Sequence, residues 1–231
     1  MYHCEICNDK MWVEYEKDGY QYARPCKCQA IRKSLYFAEK SGLGELLKIY
    51  TFDRFKTDLE FQKDLYDKAN KYLEEKGNKW FTVLGKTGSG KTMICTAICG
   101  ELLKQGYEVM FMSWIEESRK LKSHINEKEY DEIIEPLKKA EVLYIDDFFK
   151  SENTTAPSNA DIKLANEILN YRYNKAKMSD KPCKTIISSE RTIQQLINFD
   201  EAIAGRIVEC SDNYIKLLGN NAVNYRLKKF L

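Results

Sequence analysis

Eight consecutive residues fit the pattern G-x-x-x-x-G-K-[ST] at every fixed position. The apolar run 80–84 leads into them and an apolar helical pattern follows, which is the strand–loop–helix order that a phosphate-binding loop requires. Its backbone N–H groups can cradle a polyphosphate, its lysine can reach the β- and γ-phosphates, and its last hydroxyl can hold Mg²⁺. We therefore predict a nucleotide-binding loop rather than a glycine-rich turn that binds nothing, and it comprises Gly85, Lys86, Thr87, Gly88, Ser89, Gly90, Lys91 and Thr92.

A second chemical feature is a mostly apolar run, 141–149, in which two adjacent carboxylates, Asp146 and Asp147, follow the apolar residues. Such a run is typical of a buried parallel strand that opens onto a binding site. There Asp146 would bind Mg²⁺ with Thr92, while Asp147 would orient and deprotonate an attacking water. The alternative is a solvated acidic turn, and the upstream phosphate loop favours the catalytic interpretation.

Four cysteines in the first 28 residues form two short-spaced pairs, Cys4-x-x-Cys7 and Cys26-x-Cys28. Two such pairs can close a tetrahedron of thiolates around zinc. The residues between them alternate like a hairpin that turns at 18–19. We predict a Cys₄ zinc site whose metal folds a module too small to have its own core. Free surface thiols and disulfides are the alternatives, and a cytosolic location disfavours disulfides. The second pair departs from the common zinc-ligand spacing, with one intervening residue rather than two.

Two further cysteines, Cys95 and Cys99, lie four residues apart on the helix that follows the phosphate loop. This spacing can suit a metal, but small apolar helices on sheets often bury cysteine. We interpret both as core residues. His3 adjoins Cys4, and we leave it out of the zinc site because four cysteines already complete the ligand set.

The composition sets outer limits on function. The chain has 231 residues, 43% apolar and 31% charged, which suits one sizeable core plus an appendage. No membrane span and no signal-peptide pattern are found, so we expect a cytoplasmic protein without membrane contact. With 37 basic and 35 acidic residues the net charge of +2 does not imply nucleic acid. Any DNA contact must come from local patches such as 118–124 or Lys228-Lys229, for which solvated surface is the alternative.

Strands and helices alternate along the rest of the chain. A helix over 30–40 is stopped by 41–44, and an amphipathic helix is predicted over 58–76. Predicted strands at 80–84, 107–112, 141–147 and 184–188 are separated by helices at 91–105, 114–125, 131–139 and 160–177, and short helices fill 192–207. This order predicts an α/β fold with a parallel sheet and helices on both faces. Tyr50 or Phe52 is placed to flank a nucleotide base, with core packing as the alternative.

These motifs, taken in order, resemble the bacterial helicase loaders of the DnaC/DnaI type, in particular their phage and prophage forms. Those loaders are AAA+ ATPases of the IstB-like superfamily. The resemblance covers essentially the whole chain: the cysteine module, residues 50–55, the phosphate loop, the Asp146-Asp147 strand, Arg172-Tyr173, 185–190, 204–207 and 224–228.

The resemblance implies a P-loop NTPase (AAA+) fold with a small N-terminal Cys₄ zinc module. Residues 1–30 would be a zinc module that docks on the hexameric replicative DNA helicase, 31–49 a helical linker, and 50–231 the AAA+ ATPase domain. That domain would self-associate and grip single-stranded DNA while the helicase is loaded. The implied cofactors are ATP, Mg²⁺ and Zn²⁺.

The resemblance also assigns roles to late residues. Ser188 or Ser189 matches the polar sensor at a strand tip, where family members often have asparagine, so the sensor role and the hydrolysis rate depend on a shorter side chain. Arg206 matches an arginine finger that reaches a neighbouring subunit's nucleotide, with a surface ion pair as the alternative. Arg172 would act across an interface or cap its long helix. A finger supplied by a neighbour implies slow hydrolysis by the monomer.

Three functions remain open on the sequence. The first is a helicase loader driven by ATP. The second is an insertion-sequence-type ATPase that helps a transposase. The N-terminal cysteine module disfavours this second function. The third is a zinc-dependent interaction module that binds nucleotide without hydrolysing it, an interpretation disfavoured by the intact Lys91, Thr92, Asp146 and Asp147.

Overall fold

The computed structural model describes residues 3–40, 42–125, 127–151, 156–219 and 224, with Phe37 and Lys40 described by their backbone alone. The strands are β1 (Trp12–Lys17), β2 (Tyr20–Pro25), β3 (Phe81–Gly85), β4 (Val109–Ser113), β5 (Val142–Asp146), β6 (Lys184–Ser189) and β7 (Ile215–Leu218). The helices are α1 (Cys28–Lys40), α2 (Leu43–Ile49), α3 (Glu60–Glu74), α4 (Lys91–Lys104), α5 (Trp114–Ser123), α6 (Lys128–Lys139), α7 (Asn159–Met178), α8 (Ile193–Phe199) and α9 (Glu201–Ser211).

Five strands form one parallel sheet in the order β4-β5-β6-β3-β7. Strands β3 and β6 are buried along their whole length and β5 along all but its last residue, as expected for apolar runs covered on both faces. Because all five strands run the same way, the ends of β3, β5 and β6 meet at one edge of the sheet. This arrangement confirms the predicted α/β fold with a parallel sheet flanked by helices.

One face of the sheet is covered by α4 and by helices that precede the phosphate loop. Ile94, Ile98 and Leu102 of α4 are fully buried against the sheet, beside Leu43 of α2. The backbone N–H of Val109 in β4 donates a hydrogen bond of 3.1 Å to Ser34 Oγ of α1. The helices within 31–49 therefore pack on the same core as the sheet.

The opposite face carries an aromatic cluster. Trp114, Phe148 and Phe149 are almost fully buried, and the ring of Trp114 meets both phenylalanine rings edge-on at 4.9 and 5.3 Å. Helices α5, α7 and α9 enclose this cluster with aliphatic residues. The two phenylalanines follow β5 after one intervening residue, Asp147, so their burial fixes the course of the chain where the strand ends.

Two elements were not predicted from the sequence. Helix α2 begins at Leu43, within the stretch 41–44 that was expected to stop a helix, and β7 extends the sheet beside β3. The basic pair Lys228-Lys229 and residues 225–228 lie outside the described residues, as does part of the polar loop at 151–159. In the described part of the chain no helix is long and apolar enough to cross a membrane.

Candidate nucleotide site and cysteine cluster

The phosphate loop joins the end of β3 to the first turn of α4. Gly85, the last residue of β3, has φ +131°, and a Cβ there would lie 2.2 Å from the carbonyl oxygen of Leu218 in β7. Gly90 has φ +91° and caps the N-terminus of α4. Both positions require glycine because a side chain would strain the backbone, and at Gly85 it would also collide with β7. The loop therefore presents its backbone N–H groups at the positive end of α4.

Lys91 lies across the loop. Its Nζ donates hydrogen bonds to the carbonyl oxygens of Gly85 at 2.8 Å and Lys86 at 2.7 Å. Burial lowers the pKa of Lys91, and the negative charges of Glu190 and Asp147 partly oppose this effect. The ammonium therefore lies among the groups that a polyphosphate contacts in loops of this type.

Asp146, at the end of β5, is surrounded by three hydroxyl groups. Its Oδ1 accepts hydrogen bonds from Thr92 Oγ1 at 3.1 Å, from Tyr144 Oη at 2.6 Å and from Ser188 Oγ. The structure thus brings Thr92, Asp146 and Ser188 together. Ser189 Oγ instead donates to the carbonyl oxygen of Phe148 at 2.6 Å, so Ser188 is the serine that contacts the site. Tyr144, a fully buried strand residue, was not predicted as part of it.

Asp147 lies one residue beyond the strand with φ +54°, a left-handed conformation that is uncommon for aspartate. Its N–H donates to Ser188 Oγ at 3.2 Å, and its Oδ2 accepts a hydrogen bond of 2.8 Å from Lys150 Nζ. The buried rings of Phe148 and Phe149 follow it directly. This anchoring turns the Asp147 carboxylate out of the sheet and toward the phosphate loop.

A cleft of about 300 Å³ opens beside the loop. It is lined by Tyr50, Arg54, Phe55, Lys56, Gln62, Thr87, Gly88, Ser89, Gly90, Lys91, Thr92, Met93, Asp147, Lys150 and Glu190. Of the two aromatic residues predicted beside a base, Tyr50 lines the cleft, whereas Phe52 packs edge-on against Tyr66 at 5.5 Å. Lys150 and Glu190 were not predicted as site residues. The only signal for Lys150 was its position three residues after Asp147.

The two late arginines have different surroundings. Arg206 is partly buried on α9, where its Nη1 donates to Asn166 Oδ1 at 3.1 Å, and it is not among the cleft residues. Arg172 is fully buried and donates to the carbonyl oxygens of Leu137, Lys138 and Ala140 at the end of α6. Neither role predicted for Arg172 agrees with the structure: its side chain is fully buried among described residues of its own chain, and the helix end that it caps is that of α6 rather than of its own helix.

The basic segment 118–124 lies on α5 and the residue that follows it. Lys122 Nζ pairs with the Oδ1 of Asp161 at 2.6 Å, while Ser118 and Leu121 are buried. Lys120 lies 4.0 Å from Glu117. Part of the positive charge predicted for this segment is therefore neutralised by nearby carboxylates.

The four N-terminal cysteines form a compact cluster in which every Sγ lies within 4.8 Å of the others. The Sγ–Sγ distances are 3.8 Å between Cys4 and Cys26 and 3.4 Å between Cys7 and Cys28. Tetrahedral zinc with Zn–S bonds of about 2.3 Å places its sulfurs about 3.8 Å apart. All four side chains are buried, so the donor set fits zinc.

The thiols influence one another's protonation. Burial raises the pKa of Cys7, but hydrogen bonds from Cys28 and from the backbone of Met11 outweigh it and lower the pKa to about 7. Burial and the neighbouring thiols raise the pKa of Cys28 to about 12. The hairpin predicted between the two pairs is confirmed as β1 and β2. Cys95 and Cys99, the two cysteines of α4, are fully buried in the core, as predicted.

The model of the family Novel STAND NTPase 3 matches residues 61–217 of this chain. Among curated proteins, Bacillus subtilis YqaM is 31% identical over 89% of this chain and 67% of its own length. The B. subtilis phage-like element PBSX protein XkdC is 30% identical over 98% of this chain and 87% of its own. The Escherichia coli replicative helicase loader DnaC is 36% identical over 76 residues, which are 32% of this chain and 31% of DnaC.

Solved structures with the same fold include a DnaC helicase loader, with a TM-score of 0.63 at 18% identity, covering 74% of this chain and 97% of that one. DnaI gives a TM-score of 0.58 at 20% identity over 77% of this chain and 92% of that one. The replication initiator DnaA, bound to AMPPCP and single-stranded DNA, gives 0.58 at 21% identity over 78% and 55% of the two chains. This chain therefore belongs to the Novel STAND NTPase 3 family, and it shares the P-loop NTPase fold of the DnaC and DnaI structures.

Proposed function

We propose that this protein is an ATPase that loads the replicative DNA helicase onto single-stranded DNA during replication initiation. The observation that carries the proposal is the meeting of Lys91, Thr92 and Asp146 beside one cleft, with Thr92 Oγ1 3.1 Å from Asp146 Oδ1. A lysine, a hydroxyl and a carboxylate in this arrangement suit a nucleotide with Mg²⁺. The named relative DnaC is a replicative helicase loader, which supports the choice of task.

The residues at and beside the cleft then have distinct roles. Lys91 releases the loop carbonyls and binds the β- and γ-phosphates, while Thr92 and Asp146 hold Mg²⁺. Bound Mg²⁺ neutralises charge that develops on the phosphates. Ser188, which contacts both Asp146 and the N–H of Asp147, acts as the polar sensor.

The Asp147 carboxylate orients the attacking water and accepts its proton at one carboxylate oxygen. Its left-handed backbone conformation keeps it at the edge of the sheet, beyond Asp146 and beside the phosphate loop. In this arrangement Asp146 serves the metal and Asp147 serves the water.

Arg206 serves a neighbouring subunit. It lies on α9 away from its own cleft, which suits a guanidinium that completes the site of another copy of the chain. Self-association through the ATPase domain would then bring a positive charge to the transition state. Slow hydrolysis by the isolated monomer follows from this arrangement.

The cysteine cluster serves as a zinc-folded docking module. We assign residues 1–30 to this module, 31–49 to a connecting segment that packs on the sheet, and 50–231 to the ATPase domain. Zinc held by Cys4, Cys7, Cys26 and Cys28 would fix the hairpin β1–β2, which has few other buried residues. The hexameric helicase is the proposed partner of this module.

Single-stranded DNA is the proposed second partner, gripped by the ATPase domain. Support comes from the DnaA structure of the same fold, which contains single-stranded DNA. Electrostatic contact with phosphates would be sensitive to salt. Segment 118–124 contributes less charge than its sequence suggests because Lys122 is paired with Asp161.

The experiment is mass photometry of the full chain mixed with its host's replicative helicase, ATP, Mg²⁺ and zinc. We expect a complex with the wild type and none with a Cys26→Ser/Cys28→Ser variant. A Cys95→Ser variant, altered in the core of the ATPase domain, is the matched control and should retain the complex. Absence of any wild-type complex would contradict helicase loading, and an unaffected double variant would contradict docking through the cysteine module.

A further inference from the structure

Lys150 lies in the nucleotide cleft between two carboxylates. Its Nζ is 2.8 Å from Asp147 Oδ2 and 3.2 Å from Glu190 Oε1. The side chain is 36% exposed, and Lys91 and Thr92 line the same cleft. The ammonium is therefore accessible to a molecule bound on the phosphate loop.

The fold determines where Lys150 lies. Its N–H donates to the carbonyl oxygen of Asp147 at 2.8 Å, closing a turn, and the N–H of Phe148 donates to the Ser188 carbonyl oxygen at 2.8 Å. The guanidinium of Arg191 donates twice to the carbonyl oxygen of Phe149, at 3.1 and 2.9 Å. Turn 147–150 is thus fixed to the end of β6, which positions Lys150 more tightly than an ordinary surface lysine.

Glu190 connects this lysine to the phosphate loop, because its Oε1 also accepts a hydrogen bond from Thr87 Oγ1. Two carboxylates beside the place of the terminal phosphate repel that phosphate unless a cation lies between them. Burial lowers the pKa of Lys150, but the hydrogen bonds and charges of Asp147 and Glu190 outweigh that effect and raise it overall. The side chain is therefore a cation at neutral pH.

We propose that Lys150 binds the terminal phosphate of a nucleoside triphosphate in its own subunit, and that this contact draws its ammonium away from Asp147. The inference rests on the proposed nucleotide site and assigns it one further binding residue. A nucleoside diphosphate lacks the third phosphate that Lys150 would bind, so it leaves the Lys150–Asp147 ion pair intact. The ion pair thereby distinguishes triphosphate from diphosphate, and Asp147 becomes available to water only when a triphosphate is bound.

The test is calorimetric titration of the full chain, with Mg²⁺, using ADP and a non-hydrolysable β,γ-imido ATP analogue. The variants are Lys150→Met and Lys150→Gln, two neutral replacements, and Lys150→Arg, which keeps the charge. Lys138→Met is the matched control, since Lys138 also lies between two carboxylates, Glu135 at 2.6 Å and Glu167 at 3.3 Å, but outside the cleft. Circular dichroism verifies that each variant is folded.

Both neutral variants should bind the ATP analogue on the order of tenfold or more weakly, as expected for a lost hydrogen bond to a charged group. Their ADP affinity should stay within about twofold of the wild type. Lys150→Arg should retain most of the preference for the analogue, and Lys138→Met all of it.

Equal weakening of both ligands, or no weakening of the analogue, would overturn the assignment of Lys150. If the wild type binds both ligands and the neutral variants keep the same ratio of affinities, only this inference fails. If the wild type binds neither ligand, the proposed nucleotide site fails and the inference fails with it.

Discussion

Replacement of Arg172 by methionine should destabilise the whole domain. Five acceptors surround the buried guanidinium: the carbonyl oxygens of Leu137, Lys138, Ala140 and Lys184, and the Thr185 hydroxyl. The side chain thereby joins the C-terminal end of α6 to the beginning of β6. Methionine fills a similar volume but donates no hydrogen bond, so Arg172→Met leaves these acceptors without their partner.

The magnitude follows from this arrangement. An unsatisfied buried acceptor costs about 1–3 kcal/mol, and four carbonyl oxygens lose their donor. Removal of a charge from the interior offsets part of the loss, because burial already lowers the pKa of Arg172. We predict a decrease of about 3–5 kcal/mol in the free energy of unfolding. For a chain of this size the corresponding drop in Tm is about 6–20 °C.

Urea unfolding followed by tryptophan fluorescence measures this change. Lys175→Met is the matched control: Lys175 is half-buried on the same helix and donates a solvent-exposed hydrogen bond of 2.8 Å to the Lys139 carbonyl oxygen. We expect a loss within about 0.5 kcal/mol for the control. An Arg172→Met protein of wild-type stability that fails to hydrolyse ATP would refute this reasoning and restore an interface role for Arg172.

Three further predictions concern the site and its supports. Ser188→Ala should lower kcat for ATP hydrolysis by about tenfold or more, whereas Ser189→Ala should change kcat little. The reason is that Ser188, and not Ser189, contacts Asp146. Steady-state kinetics of the two variants measures the difference. Cys28→Ser should reduce bound zinc, measured by a colorimetric chelator, and should leave the Tm of the ATPase domain unchanged; unchanged zinc content would count against the Cys₄ site. Phe149→Ala should destabilise the fold by about 3–5 kcal/mol in urea because its ring fills the aromatic cluster, and a loss below about 1 kcal/mol would disagree.

The sequence predicted the parts of the fold whose periodicity is strong. Strands β3 and β5 are continuous apolar runs and α4 follows a fixed motif, so both their type and their place could be predicted. Strand β7 was missed because it has four residues of which one is buried, and its place in the sheet depends on pairing with β3. Helix α2 was missed because one glycine, Gly42, immediately precedes it and another, Gly44, is its second residue.

The candidate site was predictable where a residue belongs to a contiguous motif. Lys91, Thr92 and Asp146 follow fixed spacings, and the structure brings them together. The partners of Lys150 could not be predicted, since Glu190 lies forty positions away and meets it only when β5 and β6 are adjacent. The role of Arg172 also depended on the tertiary fold, because an arginine on a helix gives no local sign of full burial.

The central claim is that nucleotide-dependent chemistry at Lys91 delivers a helicase to DNA. The most direct measurement is retention of the host's replicative helicase on circular single-stranded DNA, scored by gel filtration, with wild-type protein or Lys91→Ala. The account predicts ATP-dependent retention with the wild type and background retention with the variant, while both proteins are equally folded by circular dichroism. Equal retention with both proteins, or none above background with the wild type, would contradict it.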